Sequence, residues 1–80
     1  MRTVGIVGKN NISRAVGSYL RSSNFDVHYA DSSSVEHDSK RSLNYFVADK
    51  DLLISAERKT NHVLAELCDD VGRTYFDLGN

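Results

Sequence analysis

The stretch GIVGKNNISRAVG, from Gly5 to Gly17, decides the fold of this chain. It starts in a short apolar run, turns at Gly8 and continues with apolar residues at helical spacing. This pattern predicts a buried strand that leads directly into a helix. At such a junction a dinucleotide-binding turn has the pattern G-x-G-x-x-G. Gly8 keeps the first glycine, whereas Asn10 and Ser13 stand at the second and third positions. The stretch therefore predicts the scaffold of a phosphate site with an altered turn.

Strand and helix patterns alternate along the rest of the chain. Short apolar runs predict strands over 3–8, 25–31, 51–56 and 74–79. Helical spacing predicts a first helix capped by Asn10 or Asn11 and ended by residues 22–24, and a second over 38–48. A third helix is predicted between a cap at Thr60 or Asn61 and an end at Gly72. We expect the first and third helices to bury the stripes Ile12, Ala15, Val16, Tyr19, Leu20 and Val63, Leu64, Leu67, Cys68, Val71.

This alternation predicts an α/β fold. Strands separated by helices form a parallel sheet with helices on its faces. We predict one domain over residues 1–80, a minimal Rossmann-like three-layer α/β/α domain with four parallel strands in the order 2-1-3-4. Ligands of such sheets bind at the carboxyl ends of the strands, where the strand order reverses. That edge, called the mouth here, would gather residues 8–13, 31–34 and 56–60.

Composition narrows the class of protein. The 80 residues carry a formal net charge of −1 with scattered basic residues, which argues against nucleic-acid binding. The single Cys68 excludes an intramolecular disulfide or a cysteine-based zinc site and favours the cytoplasm. The sequence has no long apolar run, so we expect no signal peptide and no membrane partner.

The altered turn keeps part of a phosphate site. Gly8 allows the bend, Asn10 tolerates a positive φ, and Ser13 is small enough for close packing. Asn11 and Ile12 would present backbone N–H groups at the helix N-terminus, and Lys9 or Arg14 would add positive charge. A plain turn between a strand and a helix, with no ligand, explains the same residues.

Asp31 ends the second predicted strand, where dinucleotide folds place the carboxylate that binds the adenosine ribose. A carboxylate there favours NAD, whereas hydrogen bonds from Ser32 and its neighbours would favour the 2′-phosphate of NADP. Both cofactors remain open, and so does a polar loop that binds neither.

The segments GKNNISRAVGSYL, VHYADSSS, DLLISA and YFDLGN together resemble the nucleotide-binding domain of the methylenetetrahydrofolate dehydrogenase/cyclohydrolase family. The resemblance covers nearly the whole chain and implies cofactor contacts at Lys9, Asn10 and Ser32. The chain departs from the family pattern in three places. It is one residue shorter after Ile12, Asp31 replaces a histidine, and Glu57-Arg58 replaces Val-Gly.

The catalytic lysine of that family lies in a separate folate domain that this sequence lacks. The resemblance thus implies a truncated remnant of the cofactor domain that is not an enzyme on its own, unless another polypeptide completes it. We expect no catalytic residue and no metal site here. His28 is interpreted as a packed or edge residue of its strand, and Cys68 as core. His62 is the better histidine candidate for a ligand contact, although exposure to solvent at the start of its helix is favoured. His37, in a polar loop, indicates neither role.

Two functions remain open. The first is weak binding of a dinucleotide or adenine nucleotide through Gly8, the first turn, Asp31 and Ser32. The second is a protein-interaction or oligomerisation module that keeps the scaffold without the ligand. The last strand would lie at the edge of the sheet, and open edges recruit other strands. We therefore expect a homodimer or a hetero-complex through the fourth strand or the helices beside it.

Overall fold

The computed structural model describes residues 2–8, 10–30, 40–57 and 62–78. Strands and helices alternate along them as predicted, although each strand is shorter than its sequence pattern. In chain order the elements are β1 (Thr3–Val7), α1 (Asn11–Ser22), β2 (Asp26–Ala30), α2 (Lys40–Val47), β3 (Leu52–Ser55), α3 (His62–Val71) and β4 (Thr74–Asp77).

The four strands form one parallel sheet in the order β2-β1-β3-β4, which confirms the predicted Rossmann-like α/β fold. β1 pairs with β2 on one side and with β3 on the other, so the order reverses between β1 and β3. At the carboxyl end of β1, Val7 lies in register with Ala30 and Ser55. The mouth therefore lies at the predicted edge of the sheet.

The core has two parts, one on each face of the sheet. On one face α1 packs through Val16 and Leu20 over Val4, Ile6, Val27 and Ile54. On the other face α2 and α3 pack together over Val7, Ala30 and Leu53, with Leu43, Val47, Leu64, Leu67 and Cys68. This arrangement gives the three layers that the alternation predicted.

The predicted buried stripe of α1 is confirmed at Val16 and Leu20, which pack on the sheet, and is wrong at its other three residues. Ile12, Ala15 and Tyr19 are exposed, whereas Ser13 and Gly17 are buried beside the half-buried Val16 and Leu20. Ser13 and Gly17 face the sheet because their small side chains let the helix approach it closely. The larger apolar residues Ile12 and Tyr19 consequently face solvent. Asn10, one of the two predicted caps, is the N-cap of α1.

α3 ends as predicted at Gly72, which has a φ of +71°. The Gly72 N–H bonds to the carbonyl oxygen of Asp69, and the Arg73 N–H to that of Cys68, a pattern typical of a glycine C-cap. Val71, expected in the buried stripe, is exposed at the last residue of α3. The predicted caps Thr60 and Asn61 lie outside the described residues. None of the described helices is long and apolar enough to cross a bilayer.

Candidate functional site

Gly8 makes the turn between β1 and α1. Its φ is +103°, in the region that glycine adopts readily and other residues avoid. A Cβ atom at this position would lie 3.0 Å from Cγ of Glu57 and 3.2 Å from the carbonyl carbon of Ala56. The backbone of the turn thus lies against the residues that follow β3, as a glycine in such a turn permits.

The side chain of Asn10 bridges the mouth. Its Oδ1 accepts a hydrogen bond from the Ser13 N–H at 2.9 Å and so caps the helix. Its Nδ2 donates to the carbonyl oxygen of Ala56 at 2.6 Å, beyond the end of β3. The carboxamide therefore ties the N-terminus of α1 to the neighbouring strand, across the crevice in which dinucleotide folds bind pyrophosphate.

Ser13 completes a capping box with Asn10. Its hydroxyl accepts a hydrogen bond from the Asn10 N–H at 2.9 Å and donates to the Asn10 carbonyl at 3.0 Å. The residue is fully buried. Asn10 and Ser13, which replace two glycines of the motif, therefore bond to each other and to the backbone of the turn.

The structure brings five of the predicted site residues together: Gly8, Asn10, Asn11, Ile12 and Ser13. Asn11 and Ile12 are exposed on the first turn of α1, whose first N–H groups cannot bond within the helix. Lys9, Asp31 and Ser32 lie outside the described residues. The backbone of β2 nevertheless reaches the mouth as predicted, because Ala30 lies beside Val7.

Charges of both signs lie near the turn. The helix N-terminus contributes a partial positive charge, and Arg14 is exposed one turn into α1. Glu57 is half-buried and lies directly against Gly8. The turn therefore combines the positive end of the helix dipole and an arginine with a neighbouring acidic residue.

Tyr29 and Gly17 form a contact that the sequence analysis missed. The Tyr29 hydroxyl donates to the Ser13 carbonyl at 3.1 Å, and a Cβ atom on Gly17 would lie only 1.8 Å from that hydroxyl oxygen. The signal available in the sequence was a glycine inside a helix, which costs stability and often has a packing reason. This contact fixes α1 over β2 and so positions the mouth.

Ser55, at the carboxyl end of β3, has a buried hydroxyl that was also missed. Its Oγ is buried and has no hydrogen-bond partner among the described residues. We expect Ser55→Ala to raise the free energy of unfolding by about 1 kcal/mol, because a buried hydroxyl without a partner carries an uncompensated desolvation cost. Urea denaturation followed by circular dichroism measures the change.

Ser13→Ala is the matched control for Ser55→Ala, since both serines have 0% exposure and only the Ser13 hydroxyl is hydrogen-bonded. We expect the control to lower the free energy of unfolding by about 1 kcal/mol. Equal destabilisation by both substitutions would contradict the prediction, because it would mean that the Ser55 hydroxyl stabilises the fold.

The two histidines that the structure describes are both exposed. His28 is exposed on β2, with its Nε2 2.9 Å from Oδ2 of Asp26. His62 is exposed at the start of α3, and His37 lies outside the described residues. Burial raises the pKa of the Cys68 thiol, which disfavours the reactive thiolate. Among the described residues no group of three metal-ligating side chains is placed to hold a metal ion.

Lys50 is a buried cation that the sequence analysis did not single out. It is only 6% exposed, and its Nζ lies 4.5 Å from the centre of the Phe46 ring and bonds to Oδ1 of Asp49. The hydrogen bond from Lys50 lowers the pKa of the Asp49 carboxyl. Lys50 precedes β3, so it lies at the edge of the sheet opposite the mouth and takes no part in that site.

The fold and the site define a Rossmann-like α/β domain with a capped first turn. No family model matches this chain, and neither the curated proteins nor the solved structures provide a match. The resemblance to the folate dehydrogenase family therefore stays an expectation from the sequence.

Proposed function

We propose that this domain is a protein-interaction module that keeps a Rossmann-like scaffold without nucleotide binding. The observation that carries the proposal is the bridge made by Asn10 between α1 and the backbone at Ala56. In the resembled family the cofactor binds in this crevice. In this domain the side chain of Asn10 crosses the crevice, and Asn10 stands at the position of the second glycine in the motif.

A phosphate in this crevice would have to displace the Asn10 carboxamide. Displacement would break the bonds to the Ser13 N–H and to the carbonyl of Ala56, a residue that is almost fully buried. Leaving such a buried group unpaired costs on the order of 2 kcal/mol, which weakens binding by about thirtyfold. This cost at the site favours the module over the nucleotide-binding remnant.

A second feature supports interaction with a protein. Phe76 on β4 is 54% exposed, and Leu78 just beyond the strand is also exposed. Phe76 lies in register with Ile54, which belongs to the part of the core beneath α1. α1 lies nearer to β2 than to β4, so it does not cover β4 on this face of the sheet and the Phe76 ring is exposed there. Aromatic residues of this kind are enriched in protein interfaces.

Weak binding of NAD, NADP or an adenine nucleotide is the second candidate. It is favoured by the positive φ of Gly8 and by the exposed first turn of α1 at Asn11 and Ile12. Nucleotide binding would also need contacts from Lys9, Asp31 and Ser32. The family resemblance suggests Lys9 and Ser32 as contacts, and the position of Asp31 at the end of the second predicted strand suggests a contact with the ribose. A cytoplasmic location is proposed for either function, since Cys68 is a buried free thiol.

An NMR titration with NADP, NAD and AMP tests the proposal. We expect no saturable shift of the backbone amides at Gly8 and at residues 10–14 with millimolar ligand. The matched variant is Asn10→Gly, which removes the bridge and restores the second glycine, while glycine costs only a few tenths of a kcal/mol at an N-cap. We expect this variant to show saturable shifts. Wild-type binding as tight as that of Asn10→Gly would mean that the proposal is wrong.

A further inference from the structure

We propose that the partner of this domain is a second copy of the chain, joined through β4 by antiparallel strand pairing about a two-fold axis at Tyr75. This inference rests on the proposed interaction function and names its partner. Among the described strands β4 pairs with β3 alone, so it forms one edge of the sheet. Edge strands are templates for pairing with another chain, and a two-fold axis makes such a contact self-complementary.

The backbone direction of β4 decides which residues face its outer edge. The Leu78 N–H bonds to the Ser55 carbonyl of β3 at 2.7 Å. Because backbone groups alternate along a strand, those of Phe76 also point toward β3, and those of Tyr75 and Asp77 point outward. An antiparallel partner would therefore exchange both backbone hydrogen bonds at Tyr75, and its Asp77 N–H would donate to the Arg73 carbonyl. The Arg73 N–H stays bonded to the Cys68 carbonyl in the C-cap of α3.

Charge complementarity selects the register. Arg73 and Asp77 flank Tyr75 symmetrically, two residues before and two residues after it. With Tyr75 on the axis, Arg73 of each copy lies opposite Asp77 of the other, so the contact contains two pairs of opposite charge. A shift of the axis to position 74 or 76 loses both pairs, so among the two-fold registers only the axis at Tyr75 gives them. Opposite charges at directly facing positions stabilise antiparallel pairs.

The Arg73 guanidinium has hydrogen-bonding capacity for such a contact. Its Nη2 donates to the Ala48 carbonyl at 3.2 Å, while its Nε is buried and makes no hydrogen bond with the described residues. Buried donors normally have a partner. A carboxylate brought by a second copy to this side of the sheet is an acceptor of the chemistry that a guanidinium binds best.

The same register covers the exposed aromatic ring. A two-fold axis perpendicular to the sheet keeps like faces on the same side, so Phe76 of each copy lies opposite Thr74 of the other and diagonal to the second Phe76. Aromatic side chains reach each other across this diagonal. Tyr75 faces Tyr75 at the axis on the opposite side of the sheet, where its ring packs against the part of the core beneath α2 and α3. The dimer would thus join two four-stranded sheets into one.

Analytical ultracentrifugation of the full chain over a concentration series tests this arrangement. We expect the wild type to form a reversible dimer. Arg73→Glu and Asp77→Lys should each weaken it, raising the dissociation constant about tenfold, because each creates two pairs of like charge. An equimolar mixture of the two variants should form a heterodimer, since both facing pairs then have opposite charge. The double variant Arg73→Glu/Asp77→Lys should dimerise again by itself.

Arg41→Glu is the control, because it reverses a charge on an exposed residue of α2 and should leave the dissociation constant unchanged. Circular dichroism verifies that each variant is folded, and recovery in the mixture shows that neither single variant acts through misfolding. A wild type that stays monomeric at millimolar concentration would overturn the inference, and so would a dimer that both single variants leave intact. Neither result would be evidence for nucleotide binding. The titration of the wild type and of Asn10→Gly with nucleotides tests that function separately.

Discussion

Gly17→Ala is expected to lower the free energy of unfolding by about 2 kcal/mol, although alanine is the better helix former. The added Cβ would lie 1.8 Å from the Tyr29 hydroxyl oxygen and 2.8 Å from Cζ of the ring. Tyr29 must then move out and lose its hydrogen bond to the Ser13 carbonyl. Overpacking and the lost bond together cost about 3 kcal/mol, and helix propensity returns about 1 kcal/mol. Urea denaturation measures the difference.

Ser18→Ala is the matched control for this prediction. Ser18 is the next residue of α1 and is exposed, so the substitution should change stability only by helix propensity. A second test combines Gly17→Ala with Tyr29→Phe, which removes the oxygen atom of the closest contact. We expect alanine to cost less in the phenylalanine background than in the wild type. An equal cost in both backgrounds would show that the contact with the hydroxyl does not limit position 17.

Asn10→Ala is expected to lower the free energy of unfolding by about 2 kcal/mol. Asn10 stands at a position of the cofactor-binding motif, but in this domain its side chain stabilises the fold. The substitution removes the N-cap, which is typically worth about 1 kcal/mol. It also removes the donor to the Ala56 carbonyl, a loss that costs a further 1 kcal/mol or so. Chemical denaturation of the ligand-free protein is the measurement.

Asn10→Ser separates these two contributions, because serine can cap the helix but is too short to span the crevice as asparagine does. We expect it to lose about half as much stability as Asn10→Ala. Asn11→Ala is the control at the next position, where the side chain is exposed and a small change is expected. If Asn10→Ala proved as harmless as Asn11→Ala, the bridge would have no energetic importance and the argument against a phosphate in the crevice would fail.

Much of the fold could be predicted because its signals are local and repeated. Short apolar runs separated by amphipathic segments specify parallel strands with helical crossovers, and the handedness of those crossovers leaves few strand orders. The end of α3 was equally clear, because Gly72 has the positive φ that a glycine C-cap needs. Each of these features depends on residues that are close in sequence.

The inward face of α1 could not be predicted in the same way. Hydrophobicity placed Ile12 and Tyr19 inward, whereas the helix is rotated so that Ser13 and Gly17 face β2. That rotation depends on the ring of Tyr29 from another element, which needs the space above a glycine. A pattern in one segment contains no information about the shape of the segment it packs against.

The candidate site shows the same division. The sequence located the turn at Gly8, the cap at Asn10 and the edge of the sheet where they lie. It did not reveal that the Asn10 carboxamide bonds to a backbone carbonyl near the end of β3, 46 residues away. Such a bond follows from the distance between two strands, so the substitution of glycine by asparagine indicates only an altered turn until the geometry is known.

The central position of β1 also has a consequence for how the chain folds. β1 is the first strand in the sequence, yet one of its two neighbours is β3, and the contact between Thr3 and Asp51 spans 48 residues. No hairpin can form early in an all-parallel sheet, and non-local pairing slows folding. During synthesis one edge of β1 therefore stays unpaired until β3, which is made much later, has emerged. A newly made chain would expose an apolar strand edge in that interval, when aggregation competes with folding.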